Sequence, residues 1–275
     1  KPNINILEPA AGSGEFLNDI NLLYGSVPLN IDAIELNTDL YNIISDIPNV
    51  NSMNEDFLLH NLNKEYELIV GNPPFFEVSR QSDYFELFEK EQEKEWFFHR
   101  TNIYSLFILK CIELLKPKGV LAFVLPPSWM SGYYFEKVRE ALSSNGSILH
   151  LEDVSQCNNF MKTEQDTMLM VFRKGTKIKD KYKLNFNNNI FYTFHKPKLE
   201  KLLENTKNIV EFNCKVSTGK VVWNQHKDKL TSEEDEETIP LIYSCNIIDN
   251  NIVLQEDMNR GKQQYIKGDF KPITL

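Results

Sequence analysis

Residues 71–76, GNPPFF, close the apolar run 66–70, YELIV, with an amide, two proline rings and two phenylalanines. Two consecutive prolines stop a helix or a central strand, so the string is a loop at a strand's end. Its groups suit one chemical problem. A ring amine is a poor nucleophile because its lone pair is delocalised into the ring, and two acceptors aimed at its N–H groups would draw the nitrogen toward tetrahedral geometry. Asn72 offers a side-chain carbonyl and Pro73 a main-chain carbonyl, held by the stiff Pro73–Pro74 pair. Phe75, with Phe76 beside it, can stack on the face of a base.

A second loop, in ILEPAAGSGEF at 6–16, follows a short β-rich run and opens a helical pattern. Gly12 and Gly14 permit a tight turn and close approach to a ligand. The third glycine of a dinucleotide site is missing, Glu15 would repel a pyrophosphate, and no Gly-Lys-Ser/Thr follows. The turn fits a nucleoside that carries an amino acid in place of phosphates, with Glu8 meeting its ammonium group. S-adenosylmethionine is a ligand of that kind. Glu35, 21 residues past Gly14, stands where an α/β fold places an acid on ribose hydroxyls. Asp56 is placed to accept from an adenine amine, and Phe57 to stack on the ring.

These residues need a scaffold that delivers successive strand ends to one edge. INILE, NIDAIEL, YELIV and VLAFVLP alternate with segments of helical period, which predicts an α/β fold: a doubly wound, mostly parallel, Rossmann-like sheet. VLAFVL is apolar without alternation, so it reads as a strand buried on both faces. DTMLMVFRKG, 166–175, is one more core strand. A Lys/Asn-rich composition follows, so the expected boundary lies near 175, with one domain over 1–175 and part of a second, smaller one over 176–275. The charged, aromatic stretch 85–98 reads as an amphipathic helix able to act as a lid. LPPSWM at 125–130 reads as a turn lining the same cleft.

The 275 residues carry a net charge of −9. Residues 1–175 hold 14 Lys+Arg against 25 Asp+Glu, whereas 176–230 hold 12 Lys against 5 acids. A basic segment on an acidic body suits a polyanionic partner, although a lysine-rich surface alone would give the same count. No stretch is long enough for a membrane helix and the start lacks the pattern of a signal peptide, so a cytoplasmic protein is expected. Cys111, Cys157, Cys214 and Cys245 lie far apart, and His60, His99, His150, His195 and His226 lack ligand spacing, so neither a disulfide framework nor a metal is expected.

LEPAAGSG at 7–14, AIEL at 33–36, NEDF at 54–57, GNPPFF, YSLFILKCIELLKPKG at 104–119 and LAFVLPPSWM at 121–130 resemble the successive motifs of adenine-specific DNA methyltransferases of restriction-modification type. The resemblance spans about residues 4–175 and identifies the class whose cofactor motif precedes Asn-Pro-Pro-Phe. It implies methyl transfer from S-adenosylmethionine to the exocyclic amine of adenine in a specific duplex sequence, with the base flipped out of the stack. Asn72, Pro73, Pro74 and Phe75 would be catalytic, and Phe75 and Phe76 would hold the base. Glu8, Pro9, Ala10, Gly12 and Gly14 would wrap the methionine end, and Glu35, Leu36, Asp56 and Phe57 would bind the nucleoside. That family normally carries a further cofactor segment ahead of the glycine motif, and none stands ahead of Lys1 here, so a missing segment or weak cofactor binding is expected; the start almost directly on a strand and the interrupted FKPITL end read as a piece of a longer chain.

VSTGKVVWNQHKDKL, 216–230, is similar to the start of a target-recognition region. There Lys220, Trp223 and Asn224 offer a phosphate contact, a stacking ring and a base-edge amide; the same stretch would also serve as a structural corner. The implied partners are duplex DNA and a cognate restriction endonuclease, fused or separate. Two alternatives stay open: methylation of a protein glutamine amide or an RNA guanine amine, and a DNA-specificity subunit without catalysis.

Overall fold

Each apolar run that reads as a strand enters one sheet. The computed structural model describes residues 3–78, 83–84, 101–155, 166–175, 180–204, 206–207, 209–214, 221–249, 251–254 and 262–268. β1 (Ile4–Glu8), β2 (Leu29–Ile34), β3 (Val50–Met53) and β4 (Tyr66–Gly71) come first, followed by a two-residue ladder of β5 (Glu77–Val78) and β6 (Thr101–Asn102). β7 (Leu115–Leu125), β8 (Gly146–Asp153) and β9 (Met168–Lys174) complete the sheet, in the order β3-β2-β1-β4-β7-β9-β8. The first five of these are parallel, while β9 runs antiparallel to both neighbours. This is the Rossmann-like α/β sheet that the alternation predicts. The order reverses between β1 and β4, which opens a crevice at their carboxyl ends.

Helices α1 (Glu15–Tyr24) and α2 (Thr38–Ser45) cover one face, α3 (Ile103–Leu114) and α4 (Glu136–Asn145) the other. Strand alternation decides which core each residue joins: Ile6 and Ala33 pack with Leu17 and Ile44, and Leu7 and Ile34 pack with Ile108 and Leu142. VLAFVL departs from the expectation of two buried faces. Leu121, Phe123 and Leu125 are buried, but Val120, Ala122 and Val124 are half-buried. The reason lies in α1 and α2, whose core draws on β4 only through Leu68 and Val70 and takes nothing from β7.

Two compact units divide the chain at Asn205, so the expected boundary near 175 falls inside the first. The Lys/Asn-rich segment after 175 forms a hairpin of β10 (Lys183–Phe186) and β11 (Asn189–Tyr192), turned by Asn187 and Asn188 at φ 49° and 62°. Asparagine tolerates that left-handed conformation. Tyr182 and Tyr192 join the main core, and helix α5 (Lys196–Leu203) follows. Composition changes at 175 while burial continues. The second unit holds the three-stranded order β12 (Leu230–Thr231), β16 (Tyr265–Lys267), β13 (Thr238–Pro240), together with a hairpin of β14 (Ile247–Ile248) and β15 (Asn251–Ile252). A buried amide pair organises it: Asn246 Nδ2 donates to Gln264 Oε1 at 2.9 Å and to Val253 O at 2.9 Å.

Candidate active site

Parallel pairing lines up the ends of β1, β2, β3 and β4. The register Leu7↔Ile69 brings Glu8 level with Val70, and Glu8↔Ala33 and Ile34↔Met53 extend the row to Glu35 and to the NEDF loop. Glu8, Glu35, Asp56 and Asn72 therefore share the edge that the sequence assigns to them.

At Glu8 the chain buries a carboxylate, only 2% exposed. Its Oε2 is buried without a hydrogen-bond partner among the described residues. Burial above all, with Glu15 and Glu35 adding repulsion, pushes its pKa up to about 8. An unpaired buried acid costs stability, which marks it as a site awaiting a donor. The turn beyond it is held by Glu35, whose Oε2 accepts the Gly12 N–H at 2.7 Å and whose Oε1 accepts the Asn37 N–H at 2.8 Å. Gly12 and Gly14 adopt φ 55° and 85°. A β-carbon on Gly14 would lie 2.6 Å from Ile47 Cδ1, whereas one on Gly12 would meet nothing within 4 Å, so the turn borders open space at Gly12. Leu36 is 64% exposed beside it.

The Asp56 loop follows β3. Asp56 Oδ1 accepts the Leu58 N–H at 2.9 Å, and Oδ2 accepts the Tyr84 hydroxyl at 2.6 Å. That carboxylate and burial push the Tyr84 pKa up to about 12, burial being the larger cause. Phe57 is placed otherwise than expected. Its ring is 2% exposed, lies 4.9 Å from Phe107 and has Lys110 Nζ 4.9 Å from its centre, so it presents no open face for a nucleoside. An aromatic residue next to a strand-end acid reads as a stacking partner, but α3 supplies Phe107 from fifty residues away and draws the ring into the core.

The Asn-Pro-Pro-Phe loop is fixed at its start, middle and end. Gly71 pairs with Phe123, and a methyl group on Gly71 would lie 3.5 Å from Pro9 Cδ and 3.9 Å from Glu8 Cγ, which sets this loop against the glycine turn after β1. Pro73 is buried, and Pro74 and Phe75 are half-buried. The Phe75 ring meets Tyr104 edge-on at 6.0 Å, and Tyr104 stacks on Phe135 at 5.3 Å. Past the loop, Ile103 N donates to Phe76 O at 2.9 Å and β5 pairs with β6. Asn72 is exposed and its amide has no hydrogen-bond partner among the described residues; Phe76 is 53% exposed. The LPPSWM turn meets the same tyrosine, because Ser128 Oγ lies 3.0 Å from the Tyr104 hydroxyl.

Sequence reasoning missed Tyr84, Tyr104, Lys110 and Arg139. The Arg139 guanidinium is buried and donates to Trp129 O at 3.0 Å, Gly132 O at 2.7 Å and Ile190 O at 2.5 Å, tying the turn after β7 to α4 and the hairpin. A long cation amid apolar helix residues is the one sequence signal that Lys110 gives, whereas Arg139, in the charged EKVREALSSN, gives none. Lys220 and the 85–98 stretch lie outside the described residues, as does the Asn224 side chain. In the second unit Trp223 is half-buried, 5.9 Å from both Lys227 Nζ and Lys262 Nζ and edge-on to Tyr243. Among the described residues no group of His, Cys, Asp and Glu could hold a metal ion, and no helix is long and apolar enough to cross a membrane.

Comparison with known proteins bears on the family and the fold. Modification methylase CviBIII of Paramecium bursaria Chlorella virus NC1A is 36% identical over 146 residues, which cover 51% of this chain and 36% of that protein. Type II methyltransferase M.CvrRI of Paramecium bursaria Chlorella virus XZ-6E is 26% identical over 271 residues, 97% of this chain and 66% of its own. The chain thus spans between about a third and two thirds of these relatives' lengths. The methyltransferase subunit of a type I restriction-modification system from Streptococcus thermophilus shares the fold, with a TM-score of 0.51 and 21% identity over 76% of this chain and 49% of that one. A family profile, Eco57I restriction-modification methylase, matches residues 19–160. With more than half of its residues inside that match, the chain belongs to the Eco57I restriction-modification methylase family.

Proposed function

We propose that this chain carries the catalytic part, and some of the target-recognition part, of an enzyme that transfers a methyl group from S-adenosylmethionine to the exocyclic amine of adenine in a specific duplex DNA sequence. The observation that carries the reading is the unpartnered, buried Glu8 carboxylate against Gly71, the residue that leads into Asn72. An acid waiting for a donor and a pair of amine acceptors then belong to one crevice. Type II methyltransferases among the relatives support DNA as the substrate.

The residues fit the cofactor. Glu8 would take its ammonium, the open turn at Gly12 its amino-acid end, Glu35 its ribose hydroxyls, and Asp56 with Leu36 its adenine. When bound, S-adenosylmethionine supplies a methyl carbon made electrophilic by its sulfonium. The protein's part is positioning. Asn72 Oδ1 and the Pro73 carbonyl accept the two N–H groups of an adenine flipped out of the stack, Phe75 and Phe76 cover its faces, and the loop's anchors hold the main chain that carries both acceptors. In the second unit, Trp223 with Lys227 offers a stacking ring and a phosphate contact.

The test supplies radiolabelled cofactor to the full chain with duplex DNA, structured RNA and a glutamine-bearing protein in parallel. Label is expected in DNA alone, as N6-methyladenine after nuclease digestion. Asn72→Ala should lower the rate at least about 100-fold, the scale of other preorganised hydrogen-bond effects, and leave cofactor affinity nearly unchanged. Equal rates in the variant, or label only in RNA or protein, overturn the reading.

A further inference from the structure

Lys110 sits in a helix that otherwise buries apolar residues, and its ammonium turns inward onto a loop. It donates to three main-chain carbonyls, Phe57 at 2.6 Å, Leu58 at 3.0 Å and His60 at 2.6 Å. Three acceptors use all three donors of an ammonium group. Each is a neutral carbonyl, so the cation is held by dipoles while its charge lies 4.9 Å from the centre of the Phe57 ring. Burial holds its pKa below the usual lysine range. Half-burying a cation to hold one short loop costs desolvation that a neutral side chain would avoid. What the charge secures is direction: α3 and the loop after β3 share no strand pairing, and Lys110 links them at three points.

The gripped segment begins at Asp56. Its Oδ1 accepts the Leu58 N–H, and Lys110 holds the carbonyl of that same Leu58, so Leu58 joins the clamp to one carboxylate oxygen while the Tyr84 hydroxyl holds the other. We propose that Lys110 is a positioning residue for the adenine end of the cofactor, its clamp on the 57–60 carbonyls setting where the Asp56 carboxylate points. The proposal rests on the reading of Asp56 as the acceptor for the adenine amine. It separates the two halves of the cofactor site, because Glu8 and Glu35 are fixed by β1, β2 and the Gly12 turn and do not depend on Lys110.

The experiment measures calorimetric affinities of the full chain, its K110M variant and its K110R variant for S-adenosylhomocysteine and S-inosylhomocysteine. The second ligand has a carbonyl where adenine has its amine. Wild type should prefer the adenosyl ligand about tenfold or more, the scale of a hydrogen bond to a charged group. In K110M that preference should fall below about threefold through loss of adenosyl affinity alone, with the circular dichroism spectrum unchanged. K110R keeps the charge, yet a planar fork cannot cap three carbonyls from one nitrogen, so its preference should also fall, and it decides the matter if K110M does not fold. A folded variant that keeps the wild-type preference overturns the role of Lys110. Wild type without any preference overturns the reading of Asp56 first, and the proposal with it.

Discussion

Glu8 sets a conflict between stability and binding within one side chain. With a folded pKa of about 8 against an ordinary 4.5, the carboxyl stays protonated in the folded protein while the unfolded chain ionises. The sign follows from linkage: below pH 4.5 both states are neutral and nothing is lost, and stability falls as pH rises toward 8. The loss is at most about 5 kcal/mol at 1.36 kcal/mol per unit. Glu8→Gln removes this penalty. Its melting midpoint should match wild type at pH 4 and exceed it at pH 8, while its affinity for S-adenosylhomocysteine at pH 8 should drop about tenfold or more through loss of a charge-assisted hydrogen bond. Scanning calorimetry and titration calorimetry across that range check both halves. A variant no more stable than wild type at pH 8 would mean that Glu8 is ionised in the folded protein.

Loop placement depends on elements that touch far from it in sequence. Without Arg139, the buried Trp129 carbonyl and the half-buried Gly132 and Ile190 carbonyls lose its guanidinium, although the Phe135 N–H still reaches Gly132 O at 3.1 Å. Arg139→Met should cost about 3 kcal/mol, lowering the melting midpoint by roughly 6–12 °C for a unit of this size. The turn that carries Ser128 should loosen with it, which slower-to-faster amide exchange at residues 128–132 would register. Such dependence explains what could be read from the sequence. The strand-helix alternation, the strand-end acids and the Asn-Pro-Pro-Phe loop are local patterns, and the sheet delivers each to the expected edge. Tyr104 behind Phe75, Phe107 behind Phe57 and Arg139 behind Trp129 are contacts between residues whose pairing only the packed core decides. The boundary near 175 failed similarly. A shift toward lysine and asparagine marks where the surface becomes polar, but Tyr182 and Tyr192 carry the core past it.

Moving that boundary to Asn205 changes the electrostatics of the whole molecule. Residues 206–275 hold nine Lys+Arg against eleven Asp+Glu, net −2, because seven of the lysines after 175 belong to the first unit. The second unit is therefore not a basic domain, and bulk attraction to DNA cannot carry its binding. Five of its acids fall at 233–237, where Asp235 pairs with Lys267 at 2.7 Å and Tyr265 donates to Glu234 at 3.0 Å. Among the described residues, positive charge gathers at Trp223, with Lys227 and Lys262 from separate segments each 5.9 Å from its ring. Local charge predicts a shallow salt dependence: log affinity for duplex DNA against log salt should have a slope of about −2 to −4, and Lys227→Ala or Lys262→Ala should each reduce its magnitude by about one. Fluorescence anisotropy between 50 and 200 mM salt, a range over which phosphate contacts are read out, gives the slope directly. A steep slope untouched by either substitution would place the phosphate contacts on the lysines of the first unit, and the Trp223 face would then be a structural corner.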